Sequence, residues 1–265
     1  MSRRPPLDVR NLVCKGSIGD AFLFNAILYD PSRTPITVNQ CISSDPETQQ
    51  QGIPLIEKIY SLSHNVDVNF IDHEEWKRTL GSCPANVRGD PPGFRPSPIV
   101  SANRGIAPVT AYPKFTFPVS EHEPVGSYIA CCPKSGKPQQ GHRDIHEELE
   151  WMTGAYPKHT FVLVGEANRY STFTKPNVLN LIGKTSLLEG MGVVSRATGF
   201  IGIQGLMAYV ALSQKVPSVV YTRTSGHTQA FYGRLFPQWV TYLTMYFKSR
   251  TENPEPFHQF MDHLL

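Results

Sequence analysis

Residues 177–222, NVLNLIGKTSLLEGMGVVSRATGFIGIQGLMAYVALSQKVPSVVYT, constrain the fold more than any other stretch of the chain. They read as a turn, a helix, a short strand, a second helix and a further strand. Ser186 with Glu189 three residues on makes a capping box, which pairs two otherwise orphan amide donors at a helix start. Leu187, Leu188, Met191 and Val194 follow as a helical apolar face, and Gly199 is placed to end that helix. Gly190 and Gly192 count against the helix, each costing about 1 kcal/mol relative to Ala. Residues 199–202 are a short apolar run suited to a buried strand. Gln204-Gly205 then opens the second helix through Leu206, Met207, Val210 and Ala211, and Pro217 precedes a strand over 218–222. A strand ending in glycine and feeding a helix leaves backbone amides facing outward with the positive end of the helix dipole behind them. That is a place for a phosphate or pyrophosphate.

The rest of the chain agrees with an α/β fold. Its 265 residues suffice for one large or two small domains. Residues 7–14 read as a first strand, followed by a Gly16-Ser17-Ile18-Gly19-Asp20 turn and a helix over 21–28. Residues 36–42 and 66–71 are further strands, with Val66, Val68 and Phe70 on one face. Between them, Asp45-Pro46 starts a helix that Pro54 is expected to kink or restart. Strands alternating with helices imply a parallel sheet. From 81 to 118 eight prolines interrupt any regular element, with Arg88, Arg95 and Arg104 among them. Such a segment is either a functional loop facing an acceptor or a passive connection. The domain boundary is placed between 120 and 124. This gives a first domain over 1–120, a second over 121–250 and a terminal helix over 251–265. In the second domain, strands are expected at 125–132, 160–164 and 177–181, and a helix from Asp144, capped with Glu147, to about Gly154. Residues 239–247 suit either strand or helix, and Phe257, Phe260, Met261 and Leu264 line one face of a last helix.

Composition excludes little but points consistently. A hydrophobic content of 40% and a charged content of 18% fit a globular protein, and a net charge of +3 neither demands nor excludes a polyanionic partner. No apolar run is long enough for a membrane span, and the basic N-terminus lacks the apolar core of a secretory signal. Five cysteines without repeating spacing fit reduced thiols and a cytoplasmic setting, the host cytoplasm if the gene is viral. Adjacent Cys131 and Cys132 in a strand point to opposite faces.

Several side chains are candidates for chemistry. Asp20 follows a glycine turn at a helix start, where a carboxylate suits the dipole; it is either a cap or a base. Lys134-Ser135-Gly136-Lys137 is a basic turn at the end of the strand over 125–132, either a diphosphate contact or a solvated loop. Glu166, just past the strand over 160–164, is either an acceptor for a ribose hydroxyl or an ordinary surface carboxylate. Lys184, Thr185 and Ser186 combine a cation with a helix start, but Val178 stands where a Walker-type phosphate loop needs glycine. His142 and His146 have ligand spacing without a third ligand, and no Asp-x-Asp motif is present for a metal-bridged diphosphate.

Taken together, Gly183-Lys184-Thr185-Ser186-Leu187, the strand–glycine turn–helix–Pro–strand unit of 202–220, and Gly16-Ser17-Ile18-Gly19-Asp20 resemble the heptosyltransferase-like GT-B glycosyltransferases of family 9. The resemblance is good over the last half of the chain and partial elsewhere. It implies two Rossmann-like domains facing a cleft, an acceptor-side domain first and a nucleotide-sugar domain second, with the last helix crossing back. By that resemblance the reaction is an inverting, metal-independent sugar transfer with the nucleotide sugar as co-substrate. Asp20 would be the general base. Lys134, Ser135, Gly136, Glu166, Lys184, Thr185, Ser186, Gln204, Gly205 and Leu206 would bind the donor. Ser17, Gly19, Arg88, Arg95 and Arg104 would lie on the acceptor side. Many members carry Asp-Ser/Thr-Gly and a later His; here Ile203-Gln204-Gly205 and Ala208 stand at those places. The chain is short for the family, which points to an unusual acceptor such as a hydroxylated DNA base, or else a glycan. The alternatives are a nucleotide-sugar epimerase or hydrolase on the same fold, and a non-catalytic nucleotide-sugar-binding protein.

Overall fold

The computed structural model describes residues 12–15, 18–28, 36–41, 46–63, 66–75, 78, 112–134, 145–221, 241–246 and 255–264. The chain divides into two units, Met1–Phe115 and Thr116–Leu265. Ser17, Arg88, Arg95, Arg104, Ser135 and Gly136 lie outside the described residues, as do Lys137, His142 and Asp144.

The first unit holds a sheet ordered β1-β2-β3, formed by Leu12–Lys15, Ile36–Cys41 and Val66–Ile71. Both pairings are parallel, with Val38 opposite Leu12 on one side and Val68 on the other. Helix α1 (Ile18–Leu28) begins three residues earlier than its apolar run suggests, and residues Ala21–Ala26 are all buried. Among them Asn25 donates to the Ile59 carbonyl of α2 (Pro46–Tyr60) at 2.6 Å, so the one polar side chain of that run is tied to a helix end. Pro54 does not restart α2, which is continuous through it. The ring lies on an exposed face, where water can serve the carbonyl that loses its N–H partner. Ile56, Ile59 and Tyr60 form the buried face, and the Tyr60 hydroxyl donates to buried Gln40 of β2 at 3.0 Å.

The second unit contains a six-stranded sheet. Its strands are β4 (Ile129–Cys132), β5 (Phe161–Leu163), β6 (Val178–Asn180), β7 (Gly199–Ile203), β8 (Ser218–Tyr221) and β9 (Leu243–Tyr246). The order is β6-β5-β4-β7-β8-β9 and every pairing is parallel. The chain moves outward from β4 to β6, then returns to place β7 on the other side of β4. Strand order therefore reverses between β4 and β7, the place where open α/β sheets collect ligands at their carboxyl ends. The connecting helices are α3 (His146–Ala155), α4 (Leu187–Ser195) and α5 (Leu206–Ser213), and α6 (Glu255–Leu264) follows β9. Ile129, Leu149, Phe161, Ile201, Val219 and Met261 belong to one core, so α6 packs on its own unit. The Tyr156 hydroxyl and His258 Nδ1, 2.6 Å apart, tie α6 to the end of α3.

Several expected boundaries move for identifiable reasons. β4 starts at Ile129 rather than 125, because Gly126 has a φ of +98° and breaks the extended backbone. Helix α3 has Ile145 as its N-cap, without a side-chain hydrogen bond, and the expected cap Asp144 lies outside the described residues. Helix α4 ends at Ser195, whose hydroxyl donates back to the Gly192 carbonyl at 2.8 Å; Gly199 does not end the helix but opens β7. The Ser186–Glu189 capping box is present in both directions, with Ser186 N to Glu189 Oε2 at 2.7 Å and Glu189 N to Ser186 Oγ at 3.3 Å. Residues 243–246 of the ambiguous segment are strand, parallel to β8.

Candidate functional site

The carboxyl edge of the second sheet is built from the chain segments that leave β4, β5, β6 and β7. At the reversal, Gly202 of β7 pairs with Cys132 of β4. A Cβ on Gly202 would stand 2.6 Å from Phe200 Cζ and 2.9 Å from the Cys132 carbonyl oxygen, so glycine is what lets the two strands close here. Beyond it the Gln204 amide donates to the Tyr221 carbonyl at 2.9 Å, fixing the turn into α5. Gly205 is the N-cap of α5 and supplies no side-chain cap, while its carbonyl accepts from the Tyr209 amide at 3.1 Å. The first-turn amides of Leu206, Met207 and Ala208 thus have no side-chain cap from Gly205, at the positive end of the helix dipole.

Lys134 is exposed two residues past β4. The carbonyl of Pro133 accepts from the Ile145 amide at 3.2 Å, which closes the loop onto the start of α3. The Cys132 thiol donates to the Lys134 carbonyl at 3.7 Å. Burial pushes that thiol up to about 12, a backbone hydrogen bond with Lys134 opposes the shift and the nearby Glu166 carboxylate adds to it. Cys132 is therefore a neutral thiol at pH 7 and no nucleophile. Burial also pushes up its neighbour Cys131, whose side chain is wholly in the core.

Glu166 is exposed just past β5. The turn that carries it is braced from the next strand. The Gly183 amide donates to the Gly165 carbonyl at 2.9 Å, and Gly183 has a φ of +73° with room for a Cβ only 3.0 Å from Ala167 Cβ. Glycine at 183 meets both requirements at once. Lys184 is exposed on this turn, and its amide donates to the Leu181 carbonyl at 3.0 Å. Thr185 leads back toward the reversal: a Cβ on Gly190 would find Thr185 Oγ1 at 3.4 Å and Met207 Cε at 3.5 Å. The small residue in α4 thus lets the Thr185 hydroxyl approach the first turn of α5. Ser186 is differently employed, since its amide and Oγ both serve the capping box.

The structure therefore brings Lys134, Glu166, Thr185 and the Gln204–Leu206 turn to one edge. Lys184 stands on the β6 side of that edge, two strands from β4 or roughly 10 Å. Ser186 is committed to its helix. Asp20 belongs to the first unit, partly exposed in the first turn of α1 just past β1, with Gly19 buried beside it. Where members of the resembled family carry Asp and His, Ile203 and Ala208 are both buried, so neither offers a side chain to a ligand.

Two further exposed residues lie on this edge, Arg169, which the sequence did not single out, and His146, which it marked only for its spacing from His142. Arg169 lies 5.2 Å over the Tyr170 ring, and His146, the first residue of α3, has its ring 5.7 Å from Tyr170 and 6.0 Å from Phe173. For Arg169, a place in the segment after β5 is the only signal the sequence offers. Among the described residues no group of three or more His, Cys, Asp or Glu side chains is arranged to hold a metal ion. No helix among them is long and apolar enough to cross a membrane.

No protein-family model matches the chain, and no curated protein matches it in sequence. Solved structures do. E. coli ADP-heptose LPS heptosyltransferase II superposes with a TM-score of 0.60 at 14% identity, over 96% of this chain and 97% of that one. E. coli heptosyltransferase WaaC, solved with ADP, gives 0.56 at 11% identity over 96% and 99%. The family 9 glycosyltransferase of Veillonella parvula gives 0.54 at 13% identity over 96% and 90%. The chain is thus structurally similar over nearly its whole length to GT-B heptosyltransferases, and its α/β fold with parallel sheets is theirs.

Proposed function

We propose that this protein is a glycosyltransferase that takes a sugar from a nucleoside diphosphate sugar bound at the carboxyl edge of the second unit. The observation that carries the reading is the start of α5, which has no side-chain cap and lies beside the reversal of a fully parallel sheet. The likeness in fold to an ADP-bound heptosyltransferase supports it. In this reading the amides of 206–208 and the Lys134 ammonium hold the diphosphate, Thr185 adds a hydroxyl, Lys184 adds charge and Glu166 accepts from the ribose. The acceptor oxygen attacks the anomeric carbon while the bond to the diphosphate breaks, and the leaving group keeps the electron pair. Asp20 takes the acceptor proton, and the attack inverts the anomeric carbon. Positive charge at the leaving group is the main source of rate, because charge develops there in the transition state. No step calls on a metal. The acceptor is a hydroxyl of a glycan or of a hydroxylated DNA base, the second suggested by Arg88, Arg95 and Arg104.

A non-catalytic nucleotide-sugar binder is the second reading, and the buried Ile203 and Ala208 favour it. Calorimetric titration with ADP, UDP and GDP, paired with turnover of a labelled nucleotide-sugar panel, separates the two. Binding with release of free diphosphate supports the enzyme; binding without turnover against glycan and hydroxymethylated DNA acceptors supports the binder. Absence of binding to every nucleotide, in a folded sample, removes both.

A further inference from the structure

The guanidinium of Arg169 is held rigidly on the edge where the donor reading sets the nucleoside, and we propose that it selects guanine as the base of the donor. Arg169 opens a single 3-10 turn, Arg169–Thr172, in the segment that follows β5. Asn168 fixes that turn from before it. Its Oδ1 accepts from the Tyr170 amide at 2.8 Å, its Nδ2 donates to the Glu166 carbonyl at 2.7 Å, and its own amide donates to Ser171 Oγ at 3.1 Å. From β6, Asn180 Nδ2 donates to the carbonyls of Tyr170 at 2.7 Å and Phe173 at 2.9 Å. Tyr170 itself belongs to the core and is buried. Over this fixed ring lies the exposed Arg169, 5.2 Å from its centroid, with Nη2 donating to the hydroxyl at 3.4 Å. A guanidinium stacked and bonded in this way loses little further freedom when its donors meet a ligand.

The proposal rests on the donor reading, in which the diphosphate lies at the start of α5 and Glu166 takes the ribose. From β7 to β5 is two strand spacings, roughly 10 Å, about the reach of a nucleoside diphosphate from its phosphates to its base. The base then lies over the segment after β5, where one braced turn presents both Glu166 and Arg169. A guanidinium only donates, and two of its N–H groups match a pair of neighbouring acceptors. Guanine offers such a pair, O6 and N7, on one edge. Adenine sets an amino donor beside N7, cytosine carries an amino group at the equivalent edge, and uracil has a single carbonyl there. A further phosphate on the ribose would also suit the fork, but the exposed Glu166 carboxylate on the same turn repels it.

Calorimetry on the full chain with GDP, IDP, 7-deaza-GDP, ADP and UDP tests the assignment, since all five probes carry the same diphosphate. The parent is expected to bind GDP about 5- to 150-fold tighter than ADP, the range of one good bidentate contact, with UDP also weaker than GDP. IDP should bind like GDP because it keeps O6 and N7, and 7-deaza-GDP, which lacks N7, should fall between GDP and ADP. Arg169→Lys keeps the charge without the fork, and Arg169→Gln removes both. Each should bring GDP and IDP down to the affinity of ADP and leave ADP and UDP where they were. Loss of affinity for all five probes alike would make Arg169 structural and overturn the proposal. So would a parent that binds ADP or 7-deaza-GDP as tightly as GDP, or GDP well above IDP, and in these cases the donor reading stands. Binding of none of the five by the folded parent removes the donor reading and this proposal with it. The comparison of GDP, IDP and 7-deaza-GDP needs no variant, so it decides the matter even where a substitution at 169 fails to fold.

Discussion

Two helical glycines should respond to the same substitution with opposite signs. Gly154 lies in α3 with nothing within 4 Å of the position a Cβ would take. Alanine there gains helix propensity and reduces the freedom of the unfolded chain, so Gly154→Ala should stabilise the protein by roughly 0.5–1 kcal/mol. Gly192 lies in α4 and offers the same intrinsic gain, but a Cβ there would stand 2.3 Å from the Pro118 carbonyl oxygen and 2.6 Å from Arg196 Nη2. The first is backbone and cannot rotate away, so the segment around Pro118 must lift by about 1 Å to reach van der Waals contact. Lifting it breaks the 3.0 Å bond from Arg196 to Pro118 and the 3.4 Å bond to Phe117. Hydrogen bonds to a charged group contribute about 1.5–3 kcal/mol each, less where water competes, and overpacking costs about 1–3 kcal/mol. Set against a gain of at most about 1 kcal/mol, Gly192→Ala should destabilise by roughly 1–3 kcal/mol. Urea unfolding read by circular dichroism gives both values on one scale. A Gly192→Ala midpoint at or above the parent, with Gly154→Ala stabilising as expected, would refute the close approach of Pro118 to α4.

Asp20→Asn keeps the side-chain size within the first turn of α1, so turnover should fall about 10²–10⁴-fold while donor affinity, measured by calorimetry, stays near the parent value. Lys134→Ala should weaken nucleoside diphosphate binding by about 1–3 kcal/mol and Lys184→Ala by less, given its place two strands from the reversal; unchanged affinity in both would remove the diphosphate from this edge. The Arg196 guanidinium holds the Glu123 carboxyl below its ordinary range, against the opposing effect of burial. That pair therefore stabilises the fold fully above the ordinary carboxylate pKa of about 4.3 and is lost as pH falls through the lower folded value. Glu123→Gln should flatten that part of the acid limb in thermal melts across pH 2–6. With its thiol pushed up to about 12, Cys132 should react with iodoacetamide at pH 7.5 far more slowly than a free peptide thiol, as mass spectrometry of the folded protein will show.

The second unit was the more legible because its elements announce themselves locally. The Ser186–Glu189 box, the apolar run at 199–202 and the Gln204-Gly205 turn are decided by residues within a few positions of one another; the box and the turn are found where the sequence puts them, and the run is a strand one residue longer, Gly199–Ile203. What the sequence hid is set by partners far along the chain. Gly192 reads as a poor helix residue, yet its reason is Pro118, which lies against α4 from the segment that enters the unit. Arg196, which nothing local in the sequence marks, is a fourfold donor to that segment. Pro54 reads as a break and is tolerated because its ring is on the exposed face, a fact no local window contains. For the candidate site the same division holds. The turns that carry Lys134, Glu166 and Thr185 are visible one by one, whereas their convergence follows from the strand order and from the α4–α5 contact at Gly190.

The departures at 203 and 208 bear on how such an edge can work. Buried Ile203 and Ala208 contribute packing and no polar atom, so any anion held at the start of α5 must be held by main-chain amides and by side chains from other strands. Backbone donors fixed by a strand on one side and a helix on the other need little reorganisation when charge appears before them, and that rigidity is what electrostatic stabilisation requires. The bonds from Gln204 to Tyr221 and from Tyr209 to Gly205 supply it here. The sensitive position is then Gly205 itself. Its extended φ of 165° admits any residue, and a Cβ there would meet only the Ile203 carbonyl, at 4.0 Å. Gly205→Asp should therefore fold, cap α5 through its carboxylate and set a negative charge where the diphosphate belongs. Stability should hold or rise while nucleotide affinity collapses. Only an anion site at this helix start accounts for both outcomes in one variant, and retained affinity in Gly205→Asp would move the donor elsewhere.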